Sequence, residues 1–150
     1  MRRVVVTGIG LLSSIGLGKD NAWKNLLIGK SGIKKIDHFN TDEFTCKIAG
    51  YISNDENNTN YFDISSFLDN KEIKRNDRFI QYGIVAAKMA IEDSGINNLS
   101  DEEKLKTGVI VGSGIGGLET IYNGSLTIKN SGPRKLSPFF IPSSLINLLS

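Results

Sequence analysis

One cysteine, one histidine and three prolines are all that this 150-residue chain holds of those residue types. A lone Cys46 excludes an intrachain disulfide and any multi-cysteine zinc site, and it fits a reducing compartment. No metal centre is expected. No apolar run approaches the roughly 20 residues of a membrane-spanning helix. Charge of one sign is also scarce: 18 basic residues against 16 acidic ones leave +2, too little to imply a nucleic-acid partner. Beyond Glu119 there is no Asp or Glu at all.

What remains is an ordinary globular composition, 39% apolar and 23% charged. A chain this long makes one domain or part of one and can bury roughly 70% of its unfolded surface. Arg3 to Thr7 reads as a strand, followed by a turn region at Gly8, Gly10, Ser13 and Gly16. Arg2 and Arg3 before an apolar run also resemble a signal peptide, but the glycines interrupt that run. A short helix follows, with Asp20 or Asn21 as cap, Trp23, Leu26 and Leu27 as its apolar stripe, and Gly29 just past its end. Residues 31–40 read as loop, 46–52 as a strand holding a buried structural Cys46, and the asparagine-rich 54–60 as a surface loop.

The longest helical pattern runs from about Ser66 to Ser94, with Ile73, Ile80, Ile84, Ala87 and Ile91 on one side and Gly95 as its stop. On the opposite face Lys71, Lys74, Arg75 and Arg78 follow i, i+3, i+4, i+7 spacing. Val109 to Val111 reads as a buried parallel strand, and a third helix covers about Gly117 to Lys129. Pro142, Ser143 and Ser144 resemble a helix start, with Leu145, Ile146, Leu148 and Leu149 as an apolar face that nothing in the sequence covers. The alternation of strands and helices favours an α/β layered fold with a largely parallel sheet.

The stretch GVIVGSGIGGLET, residues 108–120, decides between chemistries. Gly112, Gly114 and Gly117 fit the dinucleotide pattern G-x-G-x-x-G. That loop needs an acidic residue about 20 positions further on to hold a ribose, and the corresponding region here is SGPRKLSPFFIPSS. A nucleotide-binding domain is therefore disfavoured. Four glycines, Gly112, Gly114, Gly116 and Gly117, around one bulky side chain, Ile115, suit either the wall of a narrow apolar slot or a tight strand-to-helix turn.

The ordered blocks RRVVVTGIGLLSSIG, NDRFIQYGIVAAKMAIEDSG, GVIVGSGIGG and GPRKLSPFFIPS closely resemble the β-ketoacyl-acyl carrier protein synthases, in particular their elongating type II branch. The resemblance implies a thiolase-like layered α/β fold, with residues 1–150 as an incomplete N-terminal part of the synthase N-terminal domain. It implies a cytoplasmic homodimer that elongates an acyl chain with malonyl units by decarboxylative Claisen condensation. No cofactor is implied beyond the phosphopantetheine arm that the acyl carrier protein delivers.

By the same resemblance Ile115 is the acyl-pocket residue and Phe140 the aromatic that crosses into the neighbouring subunit's pocket. Lys71, Lys74 and Arg75 would meet the acidic carrier. The family's nucleophile lies in an Ala-Cys motif and its two histidines further on. Neither Cys46 nor His38 sits in such a motif, so no catalytic residue is expected among these 150, and the chain alone is expected to be inactive. A non-catalytic interaction module that keeps dimer and carrier surfaces is the alternative.

Overall fold

A computed structural model describes residues 3–53 and 61–149 of the chain. The asparagine-rich stretch expected as a loop, 54–60, lies outside them. The chain divides into two units, residues 1–63 with 89–95, and residues 64–88 with 96–150.

In the first unit a tight hairpin pairs β1, Leu12–Ser13, with β2, Gly16–Leu17. Helix α1, Lys19–Leu27, follows with Gly18 at its N-cap and no side-chain cap, so neither Asp20 nor Asn21 plays that part. Its C-terminus closes as the sequence suggests. Gly29 adopts φ +69°, and the amides of Gly29 and Lys30 donate to the carbonyls of Leu26 (3.0 Å) and Asn25 (2.9 Å), a Schellman closure. The expected stripe is inverted. Trp23, Leu26 and Leu27 are exposed, whereas Ala22 and Asn25 are buried. Gly16 explains the inversion. A Cβ there would stand 2.8 Å from the Ala22 nitrogen, so the hairpin backbone lies directly on the small-residue side of α1. Asn25 then donates its side-chain amide to the Ile15 carbonyl.

A second antiparallel pair joins β3, Ile33–Lys35, to β4, Ile48–Gly50. β3 falls in the region expected to be loop, because its pairing is set by a partner thirteen or more residues away that its own pattern does not reveal. Cys46 lies just before β4 and is exposed, its thiol donating to the Ile48 carbonyl at 3.3 Å. The expectation of a buried structural cysteine is thereby corrected.

The second unit begins with a 3-10 turn at Ile64–Ser66 and helix α2, Asn70–Arg75. Asp69 and Glu72 form a reciprocal capping box that starts α2. The long helix expected from Ser66 to Ser94 is broken: Asn76 is extended (φ −112°, ψ 135°), and α3 runs Arg78–Ser94. Asp77 causes the restart. Its carbonyl accepts the Ile80 and Gln81 amides and its carboxylate the Phe79 amide, so an N-cap sits inside an otherwise helical pattern. Leu68, Ile80 and Val85 form the buried apolar centre of this unit. Gly95 ends α3 at φ +71°; the last turn of α3 belongs to the first unit, where Asp93 accepts from the Ile9 amide and pairs with Lys19.

Helix α4, Asp101–Leu105, opens with a Ser100/Glu103 capping box, and α5 runs Leu118–Ser131. Helix α6, Phe140–Ser144, has Pro142 in its first turn, where the missing amide costs nothing. Pro142 to Ser144 therefore close a helix and do not open one. Leu145 is extended and a 3-10 turn, Ile146–Leu149, follows. The apolar end of that turn is covered: a Cβ on Gly83 of α3 would stand 2.6 Å from Leu149, so the glycine makes room for it.

The largely parallel sheet is not formed among the described residues, where only the two antiparallel pairs carry ladders of named strands. Arg3 to Thr7 and Val109 to Val111 are unladdered, with Val4 and Ile110 more than 90% exposed. A buried parallel strand needs neighbours on both edges and cover on both faces. Neither run finds them here, and the apolar pattern that predicts strand remains as bare surface.

Candidate functional site

The glycine corner precedes α5, and its four glycines divide into two kinds. Cβ atoms on Gly112 and Gly114 would meet nothing within 4 Å. Gly116 has φ +83°, and a Cβ on it would lie 2.5 Å from Ile146 Cγ2. Gly117 has an ordinary φ of −79° but is buried, and a Cβ on it would collide with the Ser143 carbonyl and Ser144 Cα. Its amide donates to the Ser144 carbonyl at 3.1 Å. The tight-turn reading thus holds for one pair. Gly116 and Gly117 serve a tight turn packed on the end of α6, and Gly112 and Gly114 leave open space.

Ile115 stands between the two pairs and is 71% exposed. Its side chain projects from a backbone pinned on its C-terminal side, with the Gly116 amide donating to Ser113 Oγ at 3.2 Å. No carboxylate, imidazole or thiol belongs to the corner itself. Among the described residues no group of His, Cys, Asp and Glu could hold a metal.

Phe140 opens α6 and is half-buried. A Cβ on Gly124 of α5 would lie 2.7 Å from Phe140 Cδ2, so the bare helix face at Gly124 receives the Phe140 ring within the same chain. The neighbouring Phe139 takes the Arg75 guanidinium over its ring at 4.9 Å.

Lys71, Lys74 and Arg75 are exposed on α2, with Lys74 and Arg75 in its last turn where they complement the helix dipole. The break at Asn76 removes Arg78 from that face. Arg78 lies on α3 and pairs with Glu119 at 3.5 Å, beside Tyr82, whose hydroxyl is pushed up by burial against the opposing influence of Arg78. The expected four-residue basic face is corrected to three.

Cys46 and His38 belong to the first unit. His38 is in ring contact with Phe39 and Tyr51, while the Cys46 thiol is engaged with Ile48. That unit also has a cavity of about 380 Å³ lined by Ile9, Leu11, Trp23 and Leu26, with Lys19 and Asp20 at its polar edge. Its lining holds no Cys, Ser, Thr or His.

Sequence reasoning missed Asp77. Its carboxylate is buried and accepts the Thr120 amide at 2.9 Å and the Thr120 hydroxyl at 2.6 Å, which caps α5 from 43 residues away. The signal was present as Asn76-Asp77-Arg78 within the helical pattern, but its partner was not.

Comparison with known proteins joins these pieces. The chain is 44% identical over 149 residues to the 3-oxoacyl-[acyl-carrier-protein] synthase 2 of Vibrio cholerae, covering 99% of this chain and 34% of that protein. It is 43% identical over 148 residues to the enzyme of the same name from Rhizobium meliloti, covering 99% and 35%. The solved ishigamide ketosynthase/chain length factor superposes with a TM-score of 0.77 at 27% identity, over 99% of this chain and 35% of that one. The chain thus spans about a third of the length of these relatives, and its path is the layered thiolase-like one even where strand ladders are absent. The family model for the β-ketoacyl synthase N-terminal domain matches residues 1–150, and the chain belongs to that family.

Proposed function

We propose that these residues are part of a condensing enzyme of fatty acid synthesis, supplying its acyl-chain stop and its carrier-docking surface. In the reaction an acyl thioester passes from its carrier to an enzyme thiol, freeing the carrier thiol. Malonyl carrier then loses CO2, and the resulting carbanion attacks the acyl thioester. A 3-oxoacyl carrier forms as the carbon–sulfur bond to the enzyme breaks, and the departing enzyme thiolate takes up a proton. Cys46 is not assigned as the nucleophilic thiol, because its neighbours Thr45 and Lys47 do not form the Ala-Cys motif. The chain of 150 residues is accordingly inactive alone. It works in the cytoplasm as a homodimer, with no cofactor other than the arm brought by the carrier.

The observation that carries this reading is the corner itself. Gly112 and Gly114 leave room for methylenes, and exposed Ile115 offers one bulky apolar contact at a fixed place. Burying a fatty tail there gains about 0.8 kcal/mol per methylene, enough to grade chains by length. Lys71, Lys74 and Arg75 supply a compact positive patch suited to an acidic carrier, which raises encounter rate more than final affinity. The names of the 40–44% identical relatives, each a 3-oxoacyl-[acyl-carrier-protein] synthase 2, support the same substrate class.

The test is Ile115→Phe in the full-length enzyme, assayed with acyl carriers of increasing length. Long chains should be rejected and short ones still elongated. An unchanged length profile would refute the role of Ile115.

The non-catalytic interaction module, keeping the dimer and carrier surfaces, stands as a second reading. Intact mass of the natural protein separates the two: a mass near 16.4 kDa favours the module and a much larger one the enzyme.

A further inference from the structure

The first turn of α5 has no cap of its own. Gly117 occupies the N-cap and makes no side-chain bond, so the orphan amides of that turn depend on outside acceptors. Asp77 supplies one. Its Oδ2 accepts both the amide and the hydroxyl of Thr120, and its Oδ1 the Phe79 amide at 3.4 Å, so one buried carboxylate ties the starts of α3 and α5 together. The same Oδ2 lies 3.2 Å from where a Gly117 Cβ would stand. Between Thr120 and Ile115 the chain runs through Glu119, Leu118, Gly117 and Gly116, and the two residues next to Ile115 are glycines, Gly116 in the left-handed region.

Ile115 itself is mostly exposed, so its own packing does little to hold it in place. Its place is dictated by the backbone on its C-terminal side. Besides the Gly116 amide's bond to Ser113 Oγ within the corner, that backbone is tied to other elements at two points, Gly117 to the Ser144 carbonyl and Thr120 to Asp77. The second is the stronger, because hydrogen bonds to an ionised carboxylate are roughly twice as strong as neutral ones. We infer that Asp77 is a positioning residue: through Thr120 it fixes the corner that presents Ile115 and so sharpens the cut-off between acyl chains that fit and those that do not. The inference rests on the acyl-stop reading of Ile115, but the anchor itself can be measured without substrate.

The experiment compares Asp77→Ala, Asp77→Asn, Thr120→Val and a core control, Val85→Ala, in the full-length enzyme. Two quantities are read. One is amide exchange over residues 115–121 in the absence of substrate; the other is the kcat/KM ratio for acyl carriers just below and just above the wild-type length cut-off. Asp77→Ala should speed exchange about tenfold or more and lower the ratio by a similar factor, as expected for losing hydrogen bonds to a buried charge. Asp77→Asn keeps an oxygen for Thr120 and should restore both readouts to within about threefold of wild type, the neutral acceptor being the weaker one. Thr120→Val, which serves if Asp77→Ala does not fold, should give an effect of about threefold, as one hydrogen bond is lost. Val85→Ala destabilises the same unit and should leave the ratio unchanged.

A constant ratio in Asp77→Ala or Thr120→Val overturns the inference. So does an equal loss of selectivity in Val85→Ala, or an Asn variant no better than the Ala one. If the wild-type enzyme shows no length cut-off, the acyl-stop reading fails and takes the selectivity role with it. The exchange data then report separately whether Asp77 anchors α5.

Discussion

Alanine at each of the four corner glycines should separate them into a costly pair and a silent pair. At Gly117 the added methyl meets backbone atoms, Ser144 Cα at 2.7 Å and the Ser143 carbonyl, and the Asp77 carboxylate oxygen at 3.2 Å. Backbone of a capped helix end cannot swing aside as a side-chain tip can, so the overpacking penalty of about 1–3 kcal/mol applies. At Gly116 the methyl meets Ile146 Cγ2 at 2.5 Å and the Ser144 carbonyl at 2.9 Å, and φ of +83° adds the left-handed penalty. Together these cost about 2–5 kcal/mol. Gly112 and Gly114 have no neighbour within 4 Å and no positive φ, so alanine there should change stability by less than about 0.5 kcal/mol. The assay is the thermal transition of the full-length protein and its four single variants at one protein concentration, since a protein of this size need not unfold in two states and rank order is the safe observable. The expected order is Gly116→Ala below Gly117→Ala, with both below the other two and wild type. Equal losses at all four positions would refute the division of the corner into packed and open halves.

Charge reversal of Lys71 and Lys74 to Glu should weaken carrier binding most at low salt and little at high salt, because a surface patch is screened over about 8 Å at physiological ionic strength; equal binding by both proteins at low salt would remove α2 from the docking surface. Reversing Arg75 adds loss of its contact with Phe139, worth about 0.5–1 kcal/mol, and should lower stability as well. In the first unit, the hydrogen bond from the Lys19 ammonium, helped by the Ile9 amide, holds Asp93 below its ordinary 3.8. A depressed acid stabilises the fold above its unfolded value, and this contribution is lost as pH falls through the folded one. Nuclear magnetic resonance titration should therefore find Asp93 below 3.8 and moved upward by Lys19→Gln; titration at or above 3.8 in the wild type would contradict the pairing.

Local chemistry was legible in the sequence and non-local chemistry was not. Gly29 and Gly95 announced helix ends, and both sit at positive φ where helices stop. Helix α5 was placed to within two residues, because its pattern and flanking glycines agree. By contrast, the inverted face of α1 depends on Gly16 approaching Ala22, the strand β3 depends on β4, and the capping of α5 depends on Asp77 holding Thr120. Each is a pairing across sequence, which periodicity along one segment does not encode. Two runs with strong strand character, at Val4 and Val109, went unladdered for the same reason: pattern specifies what a segment suits, and pairing requires a partner edge. At the site, Ile115 was legible as the odd residue among glycines, and the three α2 cations as a cluster. Gly124 as the seat of Phe140 and Asp77 as the anchor of α5 required the fold.

The most direct measurement is a structure of the full-length enzyme carrying a covalently bound acyl chain. The terminal carbons of that chain should lie within about 4.5 Å of the Ile115 side chain, in van der Waals contact beside Gly112 and Gly114. A tail that runs elsewhere, with the corner filled by water or by another part of the protein, would contradict the account.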